Sequence, residues 1–155
     1  MKLDVLSKSP WYADGLSFSC TQCGNCCTGG PGFVWINEEE IQKLAEYLKI
    51  SVLEVQEKYC RKIGGKVSLK ERFNRGFYDC IFLTELPAEK GEGVRQSRRG
   101  CGIYPVRPMQ CRTWPFWQEN LESEKAWDKT GEKCPGMGRG KKYSQAEIEK
   151  IRDSE

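Results

Sequence analysis

The apolar positions of this chain come in short sets, each closed by a cap or a glycine pair, and they predict several small elements. Phe33, Val34, Trp35 and Ile36 form a brief apolar run that predicts a strand. Asn37 follows, with Glu40 three residues on, which is the pattern of a capping box, and Ile41, Leu44, Ala45 and Leu48 then recur on one helical face. Ser51 with Glu54 opens a second helix whose apolar positions are Val52, Val55 and Tyr59, and Gly64-Gly65 is expected to break it. Val67 and Leu69 alternate with polar neighbours and predict a strand over 66–71. Residues 77–83 are a stronger strand candidate, rich in aromatic and β-branched side chains. Residues 84–100 read as an exposed loop or hairpin tip, after which strand character resumes from Cys101 to Tyr104. Pro108 is placed to open a short helix carrying Met109 to Arg112. Residues 134–140 read as a further loop, and Ser144 with Glu147 gives a last capping box that predicts a helix over 145–152.

Composition alters this picture in one respect. A chain of 155 residues, 38% hydrophobic and 30% charged, is ordinary for one globular domain. Its formal charge of +3 is too small to argue for nucleic acid or a membrane surface. No run of 18 apolar residues occurs, so no helical membrane span is predicted. The departure is nine cysteines with no histidine. The amino-terminal segment carries no long apolar stretch, so no secretory signal is read and the expected location is the cytoplasm. Thiols there meet a reducing medium, where disulfides are rare. An odd cysteine count and the adjacent pair Cys26-Cys27 also fit a disulfide framework poorly, and metal binding is the better reading. With 16 glycines and 7 prolines, the expectation is an α+β fold: a small, loop-rich, metal-stabilised single domain with two to four short helices and a few short strands.

Thiolate is the soft ligand selected by zinc and by iron–sulfur clusters. Cys20, Cys23, Cys26 and Cys27 form a C-x2-C-x2-C-C run, in which tight turns can aim backbone N–H groups at sulfur. Adjacent cysteines fit poorly as neighbours on one metal, so Cys26 and Cys27 are expected to serve different centres, or one of them to bridge. Cys80, Cys101, Cys111 and Cys134 lie at strand ends or in loops and complete eight candidate ligands, for which two four-thiolate sites is the natural count. Cys60 follows Tyr59 at the end of an amphipathic helix and is read as a small buried hydrophobe. The even C-x2-C-x2-C spacing with the distant Cys134-Pro135 resembles the ligand run of bacterial ferredoxins and favours an iron–sulfur cluster. Zn2+ stays open, because it tolerates scattered single ligands.

These blocks resemble a known family. Cys20-x2-Cys23-x2-Cys26-Cys27, Cys80 to Leu83, Cys101-Gly-Ile-Tyr104, Arg107-Pro108-x2-Cys111-Arg112 and Pro115-Phe116 follow in order, as in the YkgJ-type cysteine cluster family, also called the CxxCxxCC zinc- or iron-chelating domain. Cys134-Pro-Gly-x-Gly-x-Gly resembles its closing element. The matching blocks suggest an extension over 1–17, a chelating domain over 18–140 and a carboxy-terminal helix over 141–155. The resemblance implies metal ions as partners. Relatives of the family include the cysteine-rich region of flagellin lysine N-methylase, which implies an enzymatic role in some members.

Other residues refine the site. Arg107 and Arg112 bracket Cys111 and can offset the negative charge of a thiolate centre. Gly24 and Gly102 sit beside cysteines, where they let N–H groups approach sulfur. Trp114, Phe116, Trp117 and Tyr104 are expected to wall the site from water. Arg95, Arg98 and Arg99 form a basic tip that reads first as a solvated loop and second as a docking point for an acidic partner or RNA. Without histidine there is no Ser-His-Asp or Cys-His arrangement, so any catalysis would belong to the metal. Three functions follow: a non-catalytic metal-binding protein, an iron–sulfur enzyme or redox component, and a structural-zinc module that binds a protein or RNA.

Overall fold

A computed structural model gives the fold, and it describes residues 9–86 and 98–154. They fall into two units, a central one over Gln22–Arg112 and a terminal one made of Met1–Thr21 with Thr113–Glu155. The class is α+β, as the sequence predicts, with nine short strands and six helices among the described residues.

In the central unit, α1 (Glu38–Leu48) begins where Asn37 accepts the Glu40 N–H at 2.8 Å and Glu40 reaches back to the Asn37 N–H, the predicted capping box. Such a cap stabilises a helix by about 1 kcal/mol. α2 (Val52–Tyr59) starts on Ser51, whose hydroxyl accepts the Glu54 N–H at 3.1 Å. It stops at Tyr59 and does not run to the glycine pair. Cys60 already begins β3 (Cys60–Ile63), which pairs with β4 (Lys66–Leu69) around Gly64-Gly65. Two glycines between alternating segments make a tight hairpin turn, and that pairing overrides helical continuation.

The run at 33–36 lies against this hairpin through a Trp35–Ser68 bridge, with the Ile36 N–H donating to the Val67 carbonyl at 3.0 Å. The expected strand over 66–71 is divided by Lys70, and β5 (Glu71–Asn74) pairs instead with β6 (Phe77–Cys80). The turn between β5 and β6 places Arg75 at φ 50 and Gly76 at φ 89. β2 (Thr28–Gly29) pairs with the other edge of β6, so β6 is the middle strand of three. β7 (Leu83–Leu86) pairs with β8 (Arg98–Cys101), so both ends of the predicted 84–100 loop or hairpin tip are paired strand; residues 87–97 lie outside the described residues. Of the strand expected over Cys101–Tyr104 only Cys101 is strand, as the end of β8; a 3-10 turn over Tyr104–Val106 follows, and α3 (Met109–Arg112) comes after Pro108. Ile36, Ile41, Leu44, Ala45, Val55, Cys60, Leu69, Phe82 and Ile103 form the core of this unit. Each large member contributes about 1.5–3 kcal/mol by leaving water.

The terminal unit pairs β1 (Leu16–Phe18) with β9 (Met137–Tyr143). Residues 134–140 are therefore partly strand. α4 (Gln118–Leu121) and α5 (Glu124–Gly131) were not foreseen from the sequence. Here Ser123 caps α5 through the Ala126 N–H at 3.0 Å. α6 (Gln145–Arg152) carries the predicted Ser144–Glu147 capping box. Tyr12, Phe18, Phe116, Leu121, Trp127 and Ile148 form the core, with Phe116 stacked on Trp127 at 5.7 Å between ring centres. Among the described residues, no helix is long and apolar enough to cross a membrane.

Candidate metal centre

All nine cysteines are free thiols. Six of the eight candidate ligands belong to the central unit: Cys23, Cys26, Cys27, Cys80, Cys101 and Cys111. They arrive on four separate segments, each set by a local device. The first segment turns at Gly24, which has φ 78; a Cβ there would stand 2.8 Å from the Arg99 carbonyl oxygen. Only glycine lets this loop lie so close to β8. A 3-10 turn over Asn25–Cys27 then leads into β2, beside β6 and its Cys80. Cys101 ends β8 opposite Leu83, and Gly102 donates its N–H to the Phe82 carbonyl at 2.8 Å. Cys111 sits in α3, its N–H bonded to the Pro108 carbonyl at 2.9 Å.

Backbone dipoles point at the sulfurs. The Asn25 N–H donates to Cys23 Sγ at 3.4 Å. Cys80 Sγ accepts from the Phe82 backbone, and Cys101 Sγ from the Ile103 backbone. In all three cases the donor lies two residues after the cysteine, so the same tight turn is built three times. An N–H aimed at sulfur favours the thiolate, the form that binds metal.

The thiols also act on one another. Cys27 shares its proton with Cys101 and Cys26, which drives its own thiol far up and holds each of these two partners down at about 7. Burial raises Cys80 to about 11 and pushes Cys111 up as well, and each feels the charge of Cys26 and Cys101. Arg107 supplies the opposing charge, lowering Cys26, Cys101 and Cys111. Its guanidinium lies 3.8 Å over the Tyr104 ring, and its Nε donates to the Tyr104 carbonyl at 3.0 Å. Arg112 is exposed in the last turn of α3. Thus Cys26, Cys27, Cys80, Cys101 and Cys111 are electrostatic neighbours. Even so, among the described residues no three Cys, Asp or Glu side chains already stand in a geometry that would hold a metal ion. The donor set suits a thiophilic metal, and the sulfurs must draw together to enclose one.

Cys20 and Cys134 belong to the terminal unit. Their segments run side by side, with the Ser19 N–H donating to the Gly136 carbonyl at 3.1 Å. Cys134 packs on the aromatic core of that unit together with Trp114. Phe116 is buried inside this core, and Tyr104 in the central unit supports Arg107. Cys60 is 7% exposed in the central core, where burial raises its thiol. Arg95 lies outside the described residues, as does the side chain of Arg98. Arg99 is turned onto Asp79, with Nη2 to Oδ2 at 2.6 Å.

Asp79 is the residue that sequence reasoning missed. It is the one charge within residues 77–83, and that isolation in an apolar strand was the available signal. Hydrogen bonds from Thr28, Arg99 and Asn74 outweigh burial and hold its carboxyl down at about 2.

A family model matches residues 19–135, and its description is "Putative zinc- or iron-chelating domain", CxxCxxCC. The chain belongs to the CxxCxxCC family. The match takes in all eight candidate ligands. Among curated proteins, the uncharacterized protein MJ0661 of Methanocaldococcus jannaschii is 32% identical over 106 residues. The alignment covers 68% of this chain and 48% of that relative, so the chain spans about half the length of the curated relative it matches. No solved structure matches the chain.

Proposed function

We propose that the chain is a thiolate metal protein, holding zinc or iron through Cys23, Cys26, Cys27, Cys80, Cys101 and Cys111, with Cys20 and Cys134 as the remaining ligands. One observation carries this reading: thiols from four segments gather in the central unit, and the same two-residue turn aims backbone N–H groups at three of them. A merely structural cysteine needs no such donors, as Cys60 illustrates in the core. Thiols that burial and sharing keep protonated release their protons when a metal binds, so metal capture and local ordering are coupled. Arg107 offsets part of the negative charge that a thiolate centre carries. Eight ligands divide into two centres, with Cys26-Cys27 as the junction.

An iron–sulfur centre with a redox or enzymatic role is the second reading, favoured by the C-x2-C-x2-C run and by Cys134-Pro135. Anaerobic purification followed by metal analysis, sulfide assay and a visible spectrum separates the two. A brown protein with acid-labile sulfide selects iron–sulfur; a colourless protein with stoichiometric zinc selects the structural metal. A chain that carries neither metal from metal-replete cells, and takes up neither on reconstitution, contradicts the proposal.

A further inference from the structure

Asp79 lies in the middle strand of the three-stranded sheet and is 2% exposed. Every oxygen of its carboxylate is engaged. Oδ1 accepts from Thr28 Oγ1 at 2.5 Å. Oδ2 accepts from Arg99 Nη2 at 2.6 Å and from Asn74 Nδ2 at 3.2 Å. These partners are not scattered with respect to the thiols. Thr28 directly follows Cys27, Asp79 directly precedes Cys80, and Arg99 stands two residues before Cys101.

Successive side chains on a strand point to opposite faces, so the Asp79 carboxylate lies behind the strand face that carries Cys80. Thr28 and Asp79 are also direct cross-strand partners, which fixes the register of β2 on β6. Arg99 comes from a different sheet, so its bond ties the β7–β8 pair to β6. Arg72, opposite Asp79 on β5, makes a second tie by donating to the Leu83 carbonyl at 2.8 Å, and Leu83 is the pairing partner of Cys101.

We infer that Asp79 is a positioning residue of the thiol cluster: its carboxylate clamps together, from behind, the segments that carry Cys27, Cys80 and Cys101. This rests on the thiolate metal reading above. A buried charge with three donors is an expensive way to join short strands, since apolar packing would do so without removing an ion from water. It gives directionality in return, because each bond fixes where a segment stands. Groups that orient metal ligands from outside the coordination sphere typically change metal affinity by 10–100-fold when removed.

The test uses the full-length reduced chain with Zn2+ affinity measured by competition with a chromophoric chelator, and with Co2+ as a spectroscopic probe of thiolate ligation. Asp79→Ala is expected to weaken Zn2+ binding roughly 10–100-fold and to reduce the thiolate-to-Co2+ charge-transfer intensity per bound metal. Asp79→Asn keeps an acceptor for Thr28 but loses the charge facing Arg99, so it should fall between Asp79→Ala and wild type. Leu44→Ala, in the core of the same unit, lowers the unfolding temperature yet should leave both readouts unchanged well below that temperature. If Asp79→Ala does not fold, Thr28→Val removes one bond with little change of shape and should shift both readouts in the same direction. Wild-type binding with unaltered affinity and spectrum in these variants overturns the clamp alone. A wild-type chain that binds neither Zn2+ nor Co2+ overturns the metal reading and the clamp with it.

Discussion

The terminal unit buries aromatic rings against one another, whereas the central unit buries mostly aliphatic side chains, with thiols packed against them and a buried carboxylate in β6. Phe116, Trp127, Phe18 and Tyr143 meet ring to ring in the first. In the second, Cys80 and Cys101 pack on the rim of the core, and the strands bearing them are each only four residues long. Short strands pair weakly on their own. On the proposed metal reading, the strands that carry the thiols depend on the polar ties of Asp79 and on a bound metal, whereas the core of the terminal unit is aromatic packing.

The largest effect that can break this comparison is metal removal. Structural zinc contributes apparent binding free energies on the order of 10 kcal/mol in small domains. A chelator should therefore raise hydrogen exchange in β2, β6, β8 and α3 far more than in α5 and α6, which hydrogen-exchange mass spectrometry can follow. Equal loosening of α5 and α6 would erase the distinction between the units. Next in size is Phe116→Ala, which empties the centre of the aromatic core and should cost about 3–5 kcal/mol in urea unfolding. Fluorescence can localise that loss, because Trp35 belongs to the central unit and Trp11, Trp114, Trp117 and Trp127 to the terminal one.

Acid gives a finer probe. The Asp79 carboxyl falls from its ordinary 3.8 to about 2 in the folded chain, the Thr28 hydrogen bond being the first cause. A depressed carboxyl stabilises the fold above its unfolded value and loses that contribution as pH drops through the folded one. Stability should therefore decline between about pH 4 and pH 2 through this group, and Asp79→Asn should flatten the decline. Unchanged acid sensitivity in Asp79→Asn would remove Asp79 from the account of the central unit. The smallest effect is that of Gly24→Ala. A side chain at φ 78 costs about 1–2 kcal/mol, and the new Cβ also meets the Arg99 carbonyl at 2.8 Å. Chemical denaturation should register that loss, with the first cysteine segment lifted off β8.

Local chemistry was readable from the sequence wherever cause and effect lie within a few residues. Asn37 with Glu40 and Ser144 with Glu147 form the capping boxes their spacing predicts, and Pro108 precedes α3 as expected. The cysteine run announced the family directly. What escaped depends on partners far apart in the chain. Gly64-Gly65 looked like a helix break because the pairing of Cys60–Ile63 with Lys66–Leu69 outweighs helix propensity only once the hairpin closes. β9 pairs with β1 across more than a hundred residues, so a glycine-rich, basic segment gave no local sign of being a strand. Asp79 draws its partners from positions 28, 74 and 99, and no spacing rule connects them.

The central claim is that sulfur from this cluster binds the metal. X-ray absorption at the metal edge of the anaerobically purified chain tests it most directly, since the first coordination shell distinguishes sulfur at about 2.3 Å from nitrogen or oxygen at about 2.0–2.2 Å. A sulfur-only shell, unchanged in Cys60→Ala and depleted in Cys111→Ser, is the predicted result. A shell of nitrogen or oxygen, or one that Cys111→Ser leaves intact, would contradict it.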